Sequence, residues 1–165
     1  MSKEFSNISV TGLGYIGLPT AAVFADCGKK VVGVDIDERV VKTVNSEKIH
    51  IVEPDLEKLV SSVVRKGHLR ATRHPVSSDV FLITVPTPID EKTRKPNLDF
   101  VFDALVSIAK VLKRGDLVVL ESTVPLGTTR RLSNKLSKIR PDLNFPHSYG
   151  DNADVNIAHC PERVL

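Results

Sequence analysis

The sequence predicts an α/β fold built on a parallel sheet, and three observations carry that prediction. Short apolar runs alternate with amphipathic helical segments along the whole chain. The first run leads straight into a glycine-rich turn, Gly12-Leu13-Gly14-Tyr15-Ile16-Gly17, and the second ends on Asp35. Strands that alternate with helices pair in parallel through crossovers, which cover both faces of the sheet. A glycine turn between the first strand and first helix makes this the Rossmann type of doubly wound sheet. The expected strand order is 3-2-1-4-5-6.

The elements follow in order. Asn7 to Thr11 reads as the first strand and Ile16 to Cys27 as the first helix, with Gly28 placed to end it. Val31 to Val34 is short and apolar, as a buried parallel strand should be. Asp37 is placed to cap a helix running to about Asn45. Pro54 stands where a proline opens a helix, and Leu56, Leu59, Val60, Val63 and Val64 then share one face. Leu69 to Thr72 is a short strand. Val80 to Val85 is a stronger one, stopped by Val85-Pro86-Thr87-Pro88. Asp99 to Leu112 is helical with Gly115 beyond it, Leu117 to Leu120 is a strand, and Thr128 to Ile139 is a helix rich in Arg and Lys. Pro141 to Asp154 reads as a loop, and Val155 to Ala158 as the last strand.

Bulk properties bound the function. A chain of 165 residues fits one domain, 1–165. Five percent aromatic residues and no Trp argue against a nucleic-acid stacking surface. A net charge of +3 is too mild for a DNA or membrane partner but suits small anions. There is no apolar run of membrane-spanning length and no leader-like start in MSKEFSNISV. Two well-separated cysteines, Cys27 and Cys160, suit a reducing cytoplasm, and the scattered histidines offer no metal-ligand spacing. Cys27 is expected in the core. Cys160 reads as a small apolar filler beside Pro161 rather than as a nucleophile.

The glycine turn points to a dinucleotide. Gly12 permits a tight turn, Gly14 lets backbone approach a pyrophosphate, and Gly17 lets helix and strand pack closely. The helix N-terminus adds free N–H groups and partial positive charge. Asp35 lies 18 residues past Gly17, where a carboxylate accepts hydrogen bonds from the adenosine ribose. Its charge repels a 2′-phosphate, so NAD is expected over NADP. Arg39 and Lys42 stand close enough in sequence to complicate that choice, or else line a solvated helix face.

Three further loops leave the carboxyl ends of strands, where ligands of such sheets sit. Val85 to Pro88 is stiffened by two prolines and carries the Thr87 hydroxyl. Glu121 to Thr128 carries Ser122, Thr123 and Thr128, either to orient a water or amide or to cap a helix. Cys160-Pro161-Glu162-Arg163 offers Glu162 as a general base.

With GLGYIGLPTA, IVEPDL, VPTP, ESTVPLGTT and CPERVL in one order, the chain resembles the UDP-glucose/GDP-mannose dehydrogenase family from about Ile8 to Leu165. HIVEPDL and ADVNIAHCPERVL are most similar to the branch acting on UDP-N-acetyl-D-mannosamine. The resemblance implies oxidation of the sugar C6 alcohol to a carboxylate with two NAD per turnover, for polysaccharide biosynthesis. It implies that Gly12, Gly14 and Gly17, with the backbone of Tyr15 and Ile16, hold the pyrophosphate. Asp35, with Arg39 beside it, would take the ribose, and Thr87 and Thr123 would lie near the nicotinamide. Thr123 would also help position a catalytic water, and Glu162 would assist thioester hydrolysis. The family's nucleophilic cysteine, lysine and asparagine have no match here. The resemblance therefore implies the first domain of a longer, homodimeric enzyme whose central helix and C-terminal UDP-sugar domain lie elsewhere, and an isolated domain without activity. Two other readings compete. One is the NAD domain of a 3-hydroxyacid or 6-phosphogluconate type dehydrogenase, and the other a free-standing NAD-binding regulatory module. A short-chain dehydrogenase is disfavoured because neither Tyr15 nor Tyr149 begins a Tyr-x-x-x-Lys pair.

Overall fold

The computed structural model describes residues 5–92 and 94–161. Six strands form one sheet in the order β3-β2-β1-β4-β5-β6, and every neighbouring pair is parallel. The strands are β1 (Asn7–Thr11), β2 (Lys30–Val34), β3 (Leu69–Thr72), β4 (Val80–Ile83), β5 (Leu117–Leu120) and β6 (Asn156–His159). The helices are α1 (Gly17–Asp26), α2 (Glu38–Asn45), α3 (Leu56–Arg65), α4 (Asp99–Ala109), α5 (Thr128–Ile139) and the single turn α6 (Pro146–Tyr149). Order and direction match the expectation from sequence.

Period-two alternation along the strands creates two cores. Ile8 and Val10 of β1 and Val80 and Leu82 of β4 face a cluster shared with Ala21, Ala22, Val44, Val60 and Val63 from α1, α2 and α3. Phe81 and Ile83 of β4, with Val118 and Leu120 of β5, face the other way, onto Val101, Leu105, Leu132 and Leu136 of α4 and α5. Each fully buried Leu or Phe contributes roughly 1.5–3 kcal/mol relative to exposure. The first face is incompletely covered. Over β4 and β5 a recess of about 770 Å³ is lined by Phe5, Phe24, Val80, Leu82, Leu117 and Val119.

Local chemistry sets the helix ends. Gly28, at φ +82°, follows the α1 cap. Its N–H reaches the Ala25 carbonyl while the Lys29 N–H reaches that of Phe24, a Schellman closure. The Asp37 side chain accepts from the Arg39 N–H and caps α2 as expected. Pro54 does not open α3: Asp55, in the left-handed region at φ 59°, intervenes before Leu56. Strand β4 ends at Ile83, two residues before the expected Val85, although the Thr84 N–H still donates to the Thr11 carbonyl at 2.9 Å. Helix α4 ends at Ala109, and the segment from Pro141 to Asp154 winds through α6 and a 3₁₀ turn, Gly150–Asn152. Cys27 is not in the core: as the residue capping α1 it lies past the last packed turn and is exposed. Cys160 is exposed too, at the rim of the apolar recess rather than filling it. No helix among the described residues is long and apolar enough to cross a membrane.

Candidate dinucleotide site

Strand β1 lies between β2 and β4, so the chain leaves it at the point where the sheet's winding reverses. Crevices at such a point receive ligands in open α/β sheets. The glycine turn occupies this position. Gly12 has φ +94°, and its N–H donates to the Val34 carbonyl at 2.8 Å, tying the turn to the end of β2. A β-carbon on Gly17 would overlap the Gly12 carbonyl and come within 2.5 Å of Thr84 Oγ1, so only glycine lets α1 start this close to the strand. A β-carbon on Gly14 would meet nothing within 4 Å. Gly14 and Tyr15 are exposed and Ile16 is half-buried. The first turn of α1 carries no acidic side chain, and Pro19 there has no N–H to leave unpaired. The arrangement is a shallow cradle with helix-end amides on one side and open space where a pyrophosphate would lie.

Asp35 is drawn into the same crevice. Its Oδ2 accepts from the Leu13 N–H at 2.9 Å and its Oδ1 from the Asp37 N–H at 2.9 Å. Each oxygen keeps a lone pair for a ligand hydroxyl. A pocket of about 500 Å³ opens beside it, lined by Gly12, Val34, Asp35, Ile36, Arg73, His74, Pro86 and Phe100. Ile36 is 82% exposed, an apolar face available to a flat ring. These residues and the glycine turn fit an adenosine with its ribose on Asp35.

Arg39 stands on the first turn of α2, and its side chain is 91% exposed. Asp37 grips it: Nη2 lies 2.8 Å from Oδ2 and Nε 3.2 Å from Oδ1. The Arg39 hydrogen bond holds the Asp37 carboxyl below the ordinary carboxylate range, and the same bond raises the guanidinium of Arg39. Lys42 pairs with Glu38 at 2.8 Å on the solvated side.

The later loops meet as well. Thr87 Oγ1 donates to the Thr123 carbonyl at 2.8 Å, joining the loops after β4 and β5. The Ser122 hydroxyl donates to the Val85 carbonyl at 2.8 Å, and His159 Nε2 lies 3.1 Å from the Ser122 carbonyl. Thr128 Oγ1 bonds back to the Pro125 carbonyl at 2.7 Å, so it shapes the loop before α5. Thr123 is exposed at the mouth of this cluster. Glu162 lies outside the described residues.

Sequence reasoning missed Thr84. Its hydroxyl is bonded to both the Thr11 carbonyl, at 2.9 Å, and the Gly12 carbonyl, at 2.7 Å, so β4 holds the glycine turn from beneath. A threonine at the end of an apolar run was the available signal. Arg73, His74 and Phe100 were also missed, because only the fold brings the β3 end and α4 to the pocket.

Comparison with known proteins gives the family of the chain. Residues 6–165 match the model of the UDP-glucose/GDP-mannose dehydrogenase family, NAD binding domain. An NDP-N-acetyl-D-galactosaminuronic acid dehydrogenase of Ralstonia nicotianae is 57% identical over 163 residues, 98% of this chain and 38% of that protein. A UDP-N-acetyl-D-mannosamine dehydrogenase of Campylobacter jejuni is 54% identical, over 99% of this chain and 40% of that protein. Among solved structures, the UDP-N-acetyl-mannosamine dehydrogenase Cap5O from Staphylococcus aureus superposes with a TM-score of 0.87 at 36% identity, covering 97% of this chain and 37% of that one. The chain thus spans about two fifths of the length of these relatives. It belongs to the UDP-glucose/GDP-mannose dehydrogenase family, as its NAD binding domain.

Proposed function

We propose that this chain forms the cofactor half of an NAD-dependent UDP-sugar 6-dehydrogenase, acting on UDP-N-acetyl-D-mannosamine in cytoplasmic polysaccharide biosynthesis. The observation that carries the cofactor assignment is the Asp35 carboxylate seated on the Leu13 amide of the glycine turn, beside a pocket of nucleoside size. Gly12, Gly14 and Gly17, with the Tyr15 and Ile16 backbone, bind the pyrophosphate. Asp35 takes the adenosine ribose with Arg39 at its edge, and Thr87 and Thr123 border the nicotinamide end. NAD, when bound, supplies the hydride acceptor. An alcohol carried to a carboxylate loses four electrons, which requires two NAD per turnover.

The N-acetylhexosamine assignment is supported by the names of relatives above half identity. The 57% identity to a galactosaminuronic acid dehydrogenase favours a second reading, in which an N-acetylgalactosamine nucleotide is the substrate. Thr123 and Glu162 are assigned to positioning the catalytic water. The nucleophile and the sugar-binding domain come from a further part of a homodimeric enzyme, for which the half-covered apolar face offers a packing surface.

Positioning is worth roughly 7–11 kcal/mol of a catalysed barrier, and a half-site open to water forfeits much of it. Hence the 165 residues alone should bind NAD in a calorimetric titration yet produce no NADH absorbance with UDP-N-acetylmannosamine and excess NAD. No heat of NAD binding would refute the cofactor assignment. Steady NADH production abolished by Cys160→Ser would refute the division of labour.

A further inference from the structure

The sequence leaves open whether Arg39 accommodates a cofactor's 2′-phosphate or only lines a solvated helix face. We propose that Asp37 is a specificity-determining positioning residue that keeps the Arg39 guanidinium from serving a 2′-phosphate. This inference rests on the adenosine-site reading above and deepens it.

Five hydrogen bonds support it. Asp37 Oδ1 accepts the Arg39 N–H at 2.8 Å, which fixes the carboxylate at the head of α2. Both carboxylate oxygens then take the guanidinium, with Nη2 at 2.8 Å and Nε at 3.2 and 3.3 Å. The Asp37 N–H meanwhile donates to Asp35 Oδ1 at 2.9 Å, so one residue is bonded to both the ribose acceptor and the cation. A planar guanidinium recognises phosphate and carboxylate with the same fork. While Asp37 occupies that fork, a 2′-phosphate on the ribose held by Asp35 must compete for it. The second cation of the helix is committed in the same way, Lys42 to Glu38 at 2.8 Å. Preference for the unphosphorylated dinucleotide is therefore built from two carboxylates: Asp35 repels the phosphate and Asp37 withholds its counter-charge.

The exposure of the Arg39 side chain limits the effect, since exposed ion pairs shift equilibria by no more than about fivefold. The measurement is the ratio of NADP to NAD dissociation constants by calorimetry. It is made on chains that keep Asp35, with NADP titrated at high concentration, so that the Asp37 N–H bond to Asp35 stays in place. Asn and Ser both cap helices as Asp does, so Asp37→Asn and Asp37→Ser preserve α2 while releasing Arg39. Each should lower the ratio, by up to about fivefold, and adding Arg39→Gln to either should restore it. An unchanged ratio in both single variants overturns the proposal. So does a lowered ratio that survives Arg39→Gln, because the released cation would then not be the cause. Failure of the unsubstituted chain to bind NAD removes the adenosine-site reading itself, a result distinct from either.

Discussion

The Thr84 hydroxyl is bonded to the Gly12 carbonyl at 2.7 Å, across 72 residues of sequence, and so couples the residue after β4 to the glycine turn. Thr84 is buried, and Val would fill nearly the same volume without the donor. Thr84→Val should cost about 1–3 kcal/mol of stability, the penalty for leaving the Gly12 carbonyl without its hydroxyl donor, while the Thr11 carbonyl keeps the Thr84 N–H. It should also weaken NAD binding. Urea unfolding together with calorimetry would test both; a stable variant with unaltered NAD affinity would show that the hydroxyl does not hold the turn.

Asp35→Ala should weaken NAD binding by about 1–3 kcal/mol, the scale for hydrogen bonds to a charged group. NADP should lose less, because repulsion of its 2′-phosphate goes with the carboxylate. Equal NAD affinity in the two proteins would remove Asp35 from the ribose site.

The glycines should separate stability from binding. Gly17→Ala forces a methyl against the Gly12 carbonyl and should destabilise the fold by about 3 kcal/mol or more. Gly14→Ala meets open space and should melt within a few degrees of wild type while losing NAD affinity. If both variants bind NAD normally, the turn is an ordinary strand–helix connection.

Asp79 makes a pH prediction. Its Oδ2 accepts from the Ser6 and Asn7 amides at 3.2 and 3.0 Å, and Lys113 lies 3.7 Å from Oδ1. Burial pushes its pKa up, but the Asn7 and Ser6 hydrogen bonds and Lys113 outweigh that, and the net direction is down. The folded form therefore binds its proton less readily than the unfolded chain. Its contribution is present above the ordinary carboxylate pKa of about 4 and fades as pH falls through the lower folded value. Thermal melts of Asp79→Ala should lie below wild type at pH 7 and approach it toward pH 3.

The strand order was readable because glycine turn, Asp35 and apolar runs are local signals with one topological meaning. Asp37 was readable as a cap for the same reason. What escaped depends on distance in sequence. Thr84 and Phe100 matter only once β4 and α4 flank the turn, and nothing near Thr87 announces that it bonds to the Thr123 carbonyl. The exposure of Cys27 was missed because its type favours burial, whereas its place at the end of α1 turns it outward. The ends of β4 and α4 were overrun because apolar residues recur past them, Val85 after the strand and Val111 and Leu112 after the helix.

The order of the strands also sets an order of events. Strand β1 meets β2 through partners such as Ile8 and Val31, 23 residues apart, but meets β4 through Ile8 and Val80, 72 apart. Closing the longer loop costs about 1 kcal/mol more entropy than the shorter. The β1-α1-β2 unit is thus expected to assemble early and the β1–β4 seam late, at the slow end expected of non-local parallel pairing. The crevice lies on that seam. A refolding chain should recover helical signal before it recovers the capacity to bind a nucleotide.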